Sequence, residues 1–248
     1  MGIADLHAHT RHTSWGDGNQ TVEELLRFVE RETDLDIFAI TDHDDTAAAR
    51  AAWKLHQQGN YRFALLPGVE VTNQAGHLLC YFPSGGVVDI PSLRPFWWTV
   101  RFAQRHGAVC VPAHPIYPPW LVPVLRRGWE RGLRVDAVEA INAAIGERAQ
   151  RRLDGVAREF VERVALVGNS DAHHQAAIGA AYTRFPGKSV DDFLRALADR
   201  QTEPVYVRVA ELDAEARRFT QRRSITRPGW VGNLWREASA RSGSSERD

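Results

Sequence analysis

The chain alternates two hydrophobic patterns. Short apolar runs occur at 2–7 (GIADLH), 36–41 (DIFAIT), 62–66 (RFALL), 77–82 (HLLCYF), 108–113 (AVCVPA), 135–141 (VDAVEAI) and 164–169 (VALVGN). Runs of this length bounded by polar, Gly or Pro residues predict strands. Between most of them, apolar residues recur at helical spacing, roughly at 21–32, 44–58, 91–106, 119–130, 145–163 and 189–200. The clearest helix is TVEELLRFVERE at 21–32. Thr21 is an N-cap, Glu24 completes a capping box, and Leu25, Leu26, Phe28 and Val29 form one apolar face. Ser189 is a second N-cap, with Asp191 and Asp192 in the first turn. Such alternation predicts parallel strands joined by helical crossovers. Seven short strands suit one compact α/β barrel better than two separate domains.

Length is consistent with this: 248 residues can bury one large core. The expected division is a barrel over 1–211 and a basic helical extension over 212–248. The extension carries Arg217, Arg218, Arg222, Arg223 and Arg227, which read as a solvated helix face. Trp230, Leu234 and Trp235 could dock it on the barrel, and the Ser-rich end reads as disordered. Formal net charge is zero, which removes any chain-wide electrostatic case for nucleic acid. No apolar run reaches membrane-span length, and the first residues lack the basic start and apolar core of a signal peptide. The expectation is a cytoplasmic protein with no membrane partner. Cys80 and Cys110 sit in apolar runs and read as buried free thiols.

The chemistry is in the histidines, of which there are ten. His7 and His9 follow IADL, His43 follows FAIT, His114 follows VCVPA, and His173 follows ALVGNSDA. Each comes at or just after the C-terminal end of a predicted strand, the end where parallel α/β folds and barrels assemble their sites. Asp17, Glu70 and Asp171 fall in similar places. Residues two apart share a strand face, so His7 pairs with His9 and Asp171 with His173. Asp5 shares the face of His7 and His9, one step deeper, and could accept a hydrogen bond from an imidazole. Carboxylates gathered at one mouth repel unless cations neutralise them. Imidazole with carboxylate and no thiolate cluster suits Zn, Mn or Fe(II) better than Ca. Five imidazoles and three carboxylates exceed one tetrahedral shell, so two or three divalent metal ions are implied.

The ordered motifs DLHAHT…GDG, TDHD, PGVEV…GHLLCYF, AHP and NSDAHH…IG resemble those of the PHP (polymerase and histidinol phosphatase) metal-dependent phosphoesterases. The resemblance runs from about residue 3 to about residue 205. It implies a distorted (β/α)7 barrel and a nine-ligand set: His7, His9, Asp17, His43, Glu70, His77, His114, Asp171 and His173. The implied grouping is His7, His9, Glu70 and Asp171 around one metal and Glu70, His77 and His114 around a second. Asp17, His43 and His173 would hold a third. From its own context His77 reads as a surface residue at a strand start. HTRHTSWGDG is longer than the usual loop, which makes Arg11, His12 and Trp15 candidate substrate contacts.

The implied activity is hydrolysis of a small phosphomonoester or a nucleotide's terminal phosphate by a metal-bridging hydroxide. Nucleic acid would enter only as a short nucleotide. Glu70 and Asp171 are central, with Arg11 a phosphate contact and His174 a general acid. Arg148, near a helix start at the same end, is a second phosphate contact. Asp5, Asp42 and Asp44 read as orienting groups, with Asp44 also a helix cap. Trp15, Trp97, Trp98 and Trp120 are candidates for base stacking. Competing readings are a histidinol-phosphate phosphatase specifically, a catalytically silent metal-binding module, and a C–N hydrolase of the amidohydrolase type. The last commonly bridges its metals with a lysine, where this chain has Glu70.

Overall fold

The computed structural model describes residues 1–12 and 18–207. Trp15, Asp17 and the extension at 212–248 lie outside the described residues. The elements run β1 (Gly2–Asp5), α1 (Val22–Glu32), β2 (Ile37–Phe38), α2 (Ala47–Gln58), β3 (Ala64–Leu65), β4 (Gly68–Asn73), β5 (Gly76–Tyr81) and α3 (Phe96–Arg105). They continue with β6 (Val109–Ala113), α4 (Leu121–Glu130), β7 (Ala137–Asn142), α5 (Glu147–Phe160), β8 (Ala165–Asn169), β9 (Ala181–Phe185), α6 (Val190–Ala198) and β10 (Glu203–Tyr206). All six expected helices are present. Both capping boxes form: the Thr21 hydroxyl accepts the N–H of Glu24, the Ser189 hydroxyl that of Asp192, and each acidic side chain reaches back.

The strands depart from the expectation. Hydrogen bonding organises them into three sheets, ordered β10-β9-β1-β2-β3, β4-β5-β6 and β7-β8, in place of one continuous barrel. β5 runs antiparallel to both β4 and β6, and β9 antiparallel to β1 and β10. The β4–β5 hairpin went unread because GVEV drew notice for its carboxylate. Its turn signal is local: the Asn73 side chain accepts the N–H groups of Ala75 and Gly76, and Gly76 has φ +156°.

Single contacts tie the sheets together. His43 bridges to Glu70, linking the end of β2 to β4, and Ala8 bridges to Ala172 beyond β1 and β8. The N–H of Asp136 donates to Cys110, joining the approach to β7 to β6. One apolar cluster draws on strands of all three sheets: Ala4, Ile37, Leu79, Val111, Ala137 and Val167 are all buried in it. Two further clusters lie outside the strands. One packs α1 and α2 on β2 and β3 through Leu25, Leu26, Val29, Phe38 and Phe63. The other packs α3 and α4 on β4–β6 through Val69, Leu78, Val100 and Leu125. Cys80 and Cys110 face each other across β5 and β6 as buried free thiols. Among the described residues no helix is long and apolar enough to cross a membrane.

Candidate metal centre

Eight of the nine expected ligands converge at the end where the bridges lie: His7, His9, His43, Glu70, His77, His114, Asp171 and His173. All are buried except His173, which is partly exposed. Four triples of them have ligand atoms within 4.8 Å of one another: His9, His43 and His173; His7, His114 and Asp171; His7, His9 and Glu70; His43, Glu70 and His77. His77 reaches the cluster from a strand start because β5 runs backwards, so its first residues lie beside the last residues of β4 and β6. An all-parallel reading placed it at the wrong end.

Glu70 stands at the middle. Its Oε1 lies 2.8 Å from His77 Nδ1 and 3.1 Å from His114 Nε2. Its Oε2 lies 3.2 Å from His7 Nε2, 3.4 Å from His9 Nε2 and 3.0 Å from His43 Nδ1. Asp171 Oδ1 lies 3.1 Å from His9 Nε2 and 3.4 Å from His7 Nε2. The electrostatics are those of a site that needs positive charge. Burial works against ionising Glu70, yet His43, His7 and His77, with a hydrogen bond from His114, hold it well below the usual carboxylate range. Burial likewise works against charging His7, but Asp171, Glu70 and Glu139 push its pKa well up.

Divalent cations fit this donor set. His7 Nε2 and Glu70 Oε2 are buried and close together, yet neither makes a hydrogen bond. Three imidazoles spend Nδ1–H on the protein: His7 on Glu139 (3.1 Å), His114 on the Tyr117 carbonyl (3.2 Å) and His173 on the Asp171 carbonyl (2.8 Å). Nε2 is then the atom each would offer to a cation in exchange for a proton, the arrangement of an imidazole held for a metal. The rings of His9 and His173 stack at 4.5 Å. His114 and Asp171 have φ of +28° and +52°, costly backbone geometry that aims their side chains inward.

Corrections concern the supporting groups. Asp5 holds no imidazole: its carboxylate accepts the N–H groups of Ser170 and Gly179, and burial raises its pKa to about 6. Glu139 takes that place beside His7. Sequence reading passed over it because VDAVEAI looks like a plain core strand; an acidic residue within an apolar run was the available signal. Asp42 accepts both the N–H and the hydroxyl of Thr10 and so pins the residue after His9. Asp44, at φ +54°, accepts the Thr72 N–H and braces β4. It does not cap α2; Asp45 accepts the N–H of Ala47.

The candidate substrate contacts are less gathered. Arg11 and His12 are exposed just beyond His9, and Arg11 lies within electrostatic reach of Glu24 on α1. The loop they begin is closed at its base. The Arg11 N–H donates to the Gln20 carbonyl at 2.9 Å, and a Cβ on Gly18 would sit 2.3 Å from the Thr10 carbonyl oxygen. Arg148 is exposed in the first turn of α5. His174 follows His173, and its Nδ1 accepts the Ala176 N–H at 3.1 Å. Trp97 packs inward and donates to the Val124 carbonyl, while Trp98 lies under the Arg94 guanidinium. Trp120 is 56% exposed, six residues beyond His114.

With this geometry in place, the chain can be set beside known proteins. Residues 155–202 match a family model described as PHP-associated. A two-domain protein from Bacteroides vulgatus, described as containing a candidate PHP-like metal-dependent phosphoesterase, superposes with a TM-score of 0.64 at 16% identity, covering 83% of this chain. The fold is PHP-like. The chain spans 64% of that two-domain protein. A Bifidobacterium adolescentis protein, described as a candidate metal-dependent phosphoesterase, shares the PHP-like fold with a TM-score of 0.54 at 19% identity, covering 81% of this chain and 96% of its own. A Chromobacterium violaceum amidohydrolase, solved with sulfate and no metal, has a TM-score of 0.55 at 16% identity, covering 82% and 97%. A search of curated proteins gave no match.

Proposed function

We propose that this chain is a metal-dependent phosphoesterase that hydrolyses a small phosphomonoester or the terminal phosphate of a short nucleotide. The observation that carries the reading is Glu70, whose two buried oxygens face different sets of imidazoles. A carboxylate so divided suits a bridge between two cations. His7, His9 and Asp171 would complete one site and His77 and His114 the other, with His43 and His173 toward a third. The ions would be Zn, Mn or Fe, and when bound they would supply Lewis-acid charge and an activated water. The accompanying fold reading is a distorted (β/α)7 barrel, supported by the apolar cluster that draws on strands of all three sheets.

The chain's own residues would do the rest. The fixed Nδ1–H bonds of His7, His114 and His173 hold the ligand lone pairs in place before substrate arrives. His174 accepts a backbone N–H at Nδ1, which leaves Nε2 as the atom that would donate a hydrogen bond to a departing oxygen. Arg11, His12 and Trp15 on one loop, with Arg148 at the start of α5, would contact the phosphate and its leaving group.

The test is elemental analysis of the purified protein, followed by phosphate-release assays with added Mn, Zn or Fe. The substrate panel includes nucleotides, sugar phosphates and histidinol phosphate. Bound metal with phosphate release supports the reading. Substoichiometric metal with no release on any substrate overturns it, and full metal with no release favours a silent binding module.

A further inference from the structure

Beneath the histidines lies a carboxylate outside the ligand set. Glu139, on β7, is fully buried, and each of its oxygens receives two N–H donors. Oε1 accepts from His7 Nδ1 (3.1 Å) and Asn169 Nδ2 (2.9 Å). Oε2 accepts from the backbone N–H of His114 (2.7 Å) and Asn142 Nδ2 (2.9 Å). An acceptor-only carboxylate matches that cage, since all four partners donate. Asn142 Nδ2 also lies 3.1 Å from Asp171 Oδ2.

These contacts reach three of the ligands. His7, His114 and Asp171 come from the ends of β1, β6 and β8, in three different sheets. Glu139 touches the ring of His7, the backbone of His114 at its unusual φ, and, through Asn142, the carboxylate of Asp171. We propose that Glu139 is the positioning residue for the ligands on both sides of Glu70: it fixes the His7 tautomer at one cation and sets the His114 main chain at the other. The inference rests on the reading of the cluster as a metal centre. It adds that cation affinity is controlled from β7, a strand that contributes none of the ligands.

The mechanism is geometric. Without an acceptor at Nδ1, His7 is free to move its proton to Nε2, which removes the lone pair that faces Glu70 and Asp171. Glutamine keeps the size of Glu139 but replaces one oxygen with an NH2 group, which must then face a donor pair. The experiment is calorimetric titration of metal-free wild type and Glu139→Gln with Zn2+ alone, with long-range 1H–15N imidazole spectra reading the His7 tautomer. Wild type should show His7 protonated at Nδ1. Glu139→Gln should lose that signature and bind Zn2+ roughly 10–100-fold more weakly. Unchanged affinity together with an unchanged His7 tautomer would overturn the proposal. Far-UV circular dichroism checks the fold. Should Glu139→Gln fail to fold, Asn142→Ala keeps the carboxylate and cuts only the link to Asp171. Zn2+ should then bind roughly tenfold more weakly, and an unchanged affinity there also overturns the proposal. Phosphate release by wild type is not used as a readout, so failure of the phosphoesterase reading would be seen separately.

Discussion

The two ends of the same strands are built by opposite rules. Within β1, β7 and β8 the buried positions Ala4, Ala137, Ala165 and Val167 are small apolar side chains in one cluster with Leu79 and Val111. A few residues further on, equally buried, stand His7, Glu139, Asn142 and Asp171. The apolar end is complete as it stands, because contact and exclusion of water stabilise it. The polar end gathers charge that its own hydrogen bonds do not neutralise, and His7 Nε2 and Glu70 Oε2 stay without hydrogen bonds. Stability and chemistry therefore occupy separate layers of one set of strands.

That separation can be broken in graded ways. Glu70→Ala should act hardest. Phosphate release should fall by more than about 100-fold, beyond the loss expected for an outer partner, and the metal count should drop; full activity would refute the bridging role. Phe193→Ala strikes the other layer. Phe193 is 1% exposed, and truncation should cost about 3–5 kcal/mol in urea unfolding while leaving metal per folded molecule unchanged. Metal itself should stabilise wild type by about 2.7 kcal/mol at a free concentration one hundred times its Kd. A chelator should reverse this, and Phe193→Ala should respond like wild type. A shift retained in full by Glu70→Ala would show that the cation binds elsewhere.

The smallest effect belongs to the outer shell. Backbone N–H groups of Lys188 and Ser189 hold the Asp192 carboxyl below its usual range. A depressed folded-state pKa contributes stability above the ordinary carboxylate value near 4 and loses it as pH falls. Asp192→Asn should therefore unfold more readily than wild type at neutral pH and converge with it in acid, as thermal melts across pH would show. Metal content should not change.

Most of the clustered positions were legible because the imidazole or carboxylate follows an apolar run, a signal carried within a few residues of one strand; His77, which opens its run, was not. The helices were legible for the same reason, through the caps at Thr21 and Ser189 and the apolar face of Leu25, Leu26 and Val29. Relations between strands were not legible. Asp5 shares a face with His7, yet it accepts N–H groups from the segment after β8, while Glu139, 132 residues away in sequence, meets the imidazole. Strand direction belongs to the same class of information. The reversal of β5 decides that His77 joins the cluster, and nothing in HLLCYF itself states it. β9 and β10 were missed because AYTRF and EPVY are short and only partly buried.

The pinched base of the loop after His9 has an evolutionary consequence. Thr10 is fastened to Asp42 on one side and pressed against Gly18 on the other, so the chain returns to the same point whatever lies between. Doubling the length of such a closed loop costs only about 0.6 kcal/mol of closure entropy. Segments of different length and composition can therefore be exchanged there without moving His9. A lineage built on this arrangement can vary the segment between Arg11 and Gly18 while His9 keeps its place.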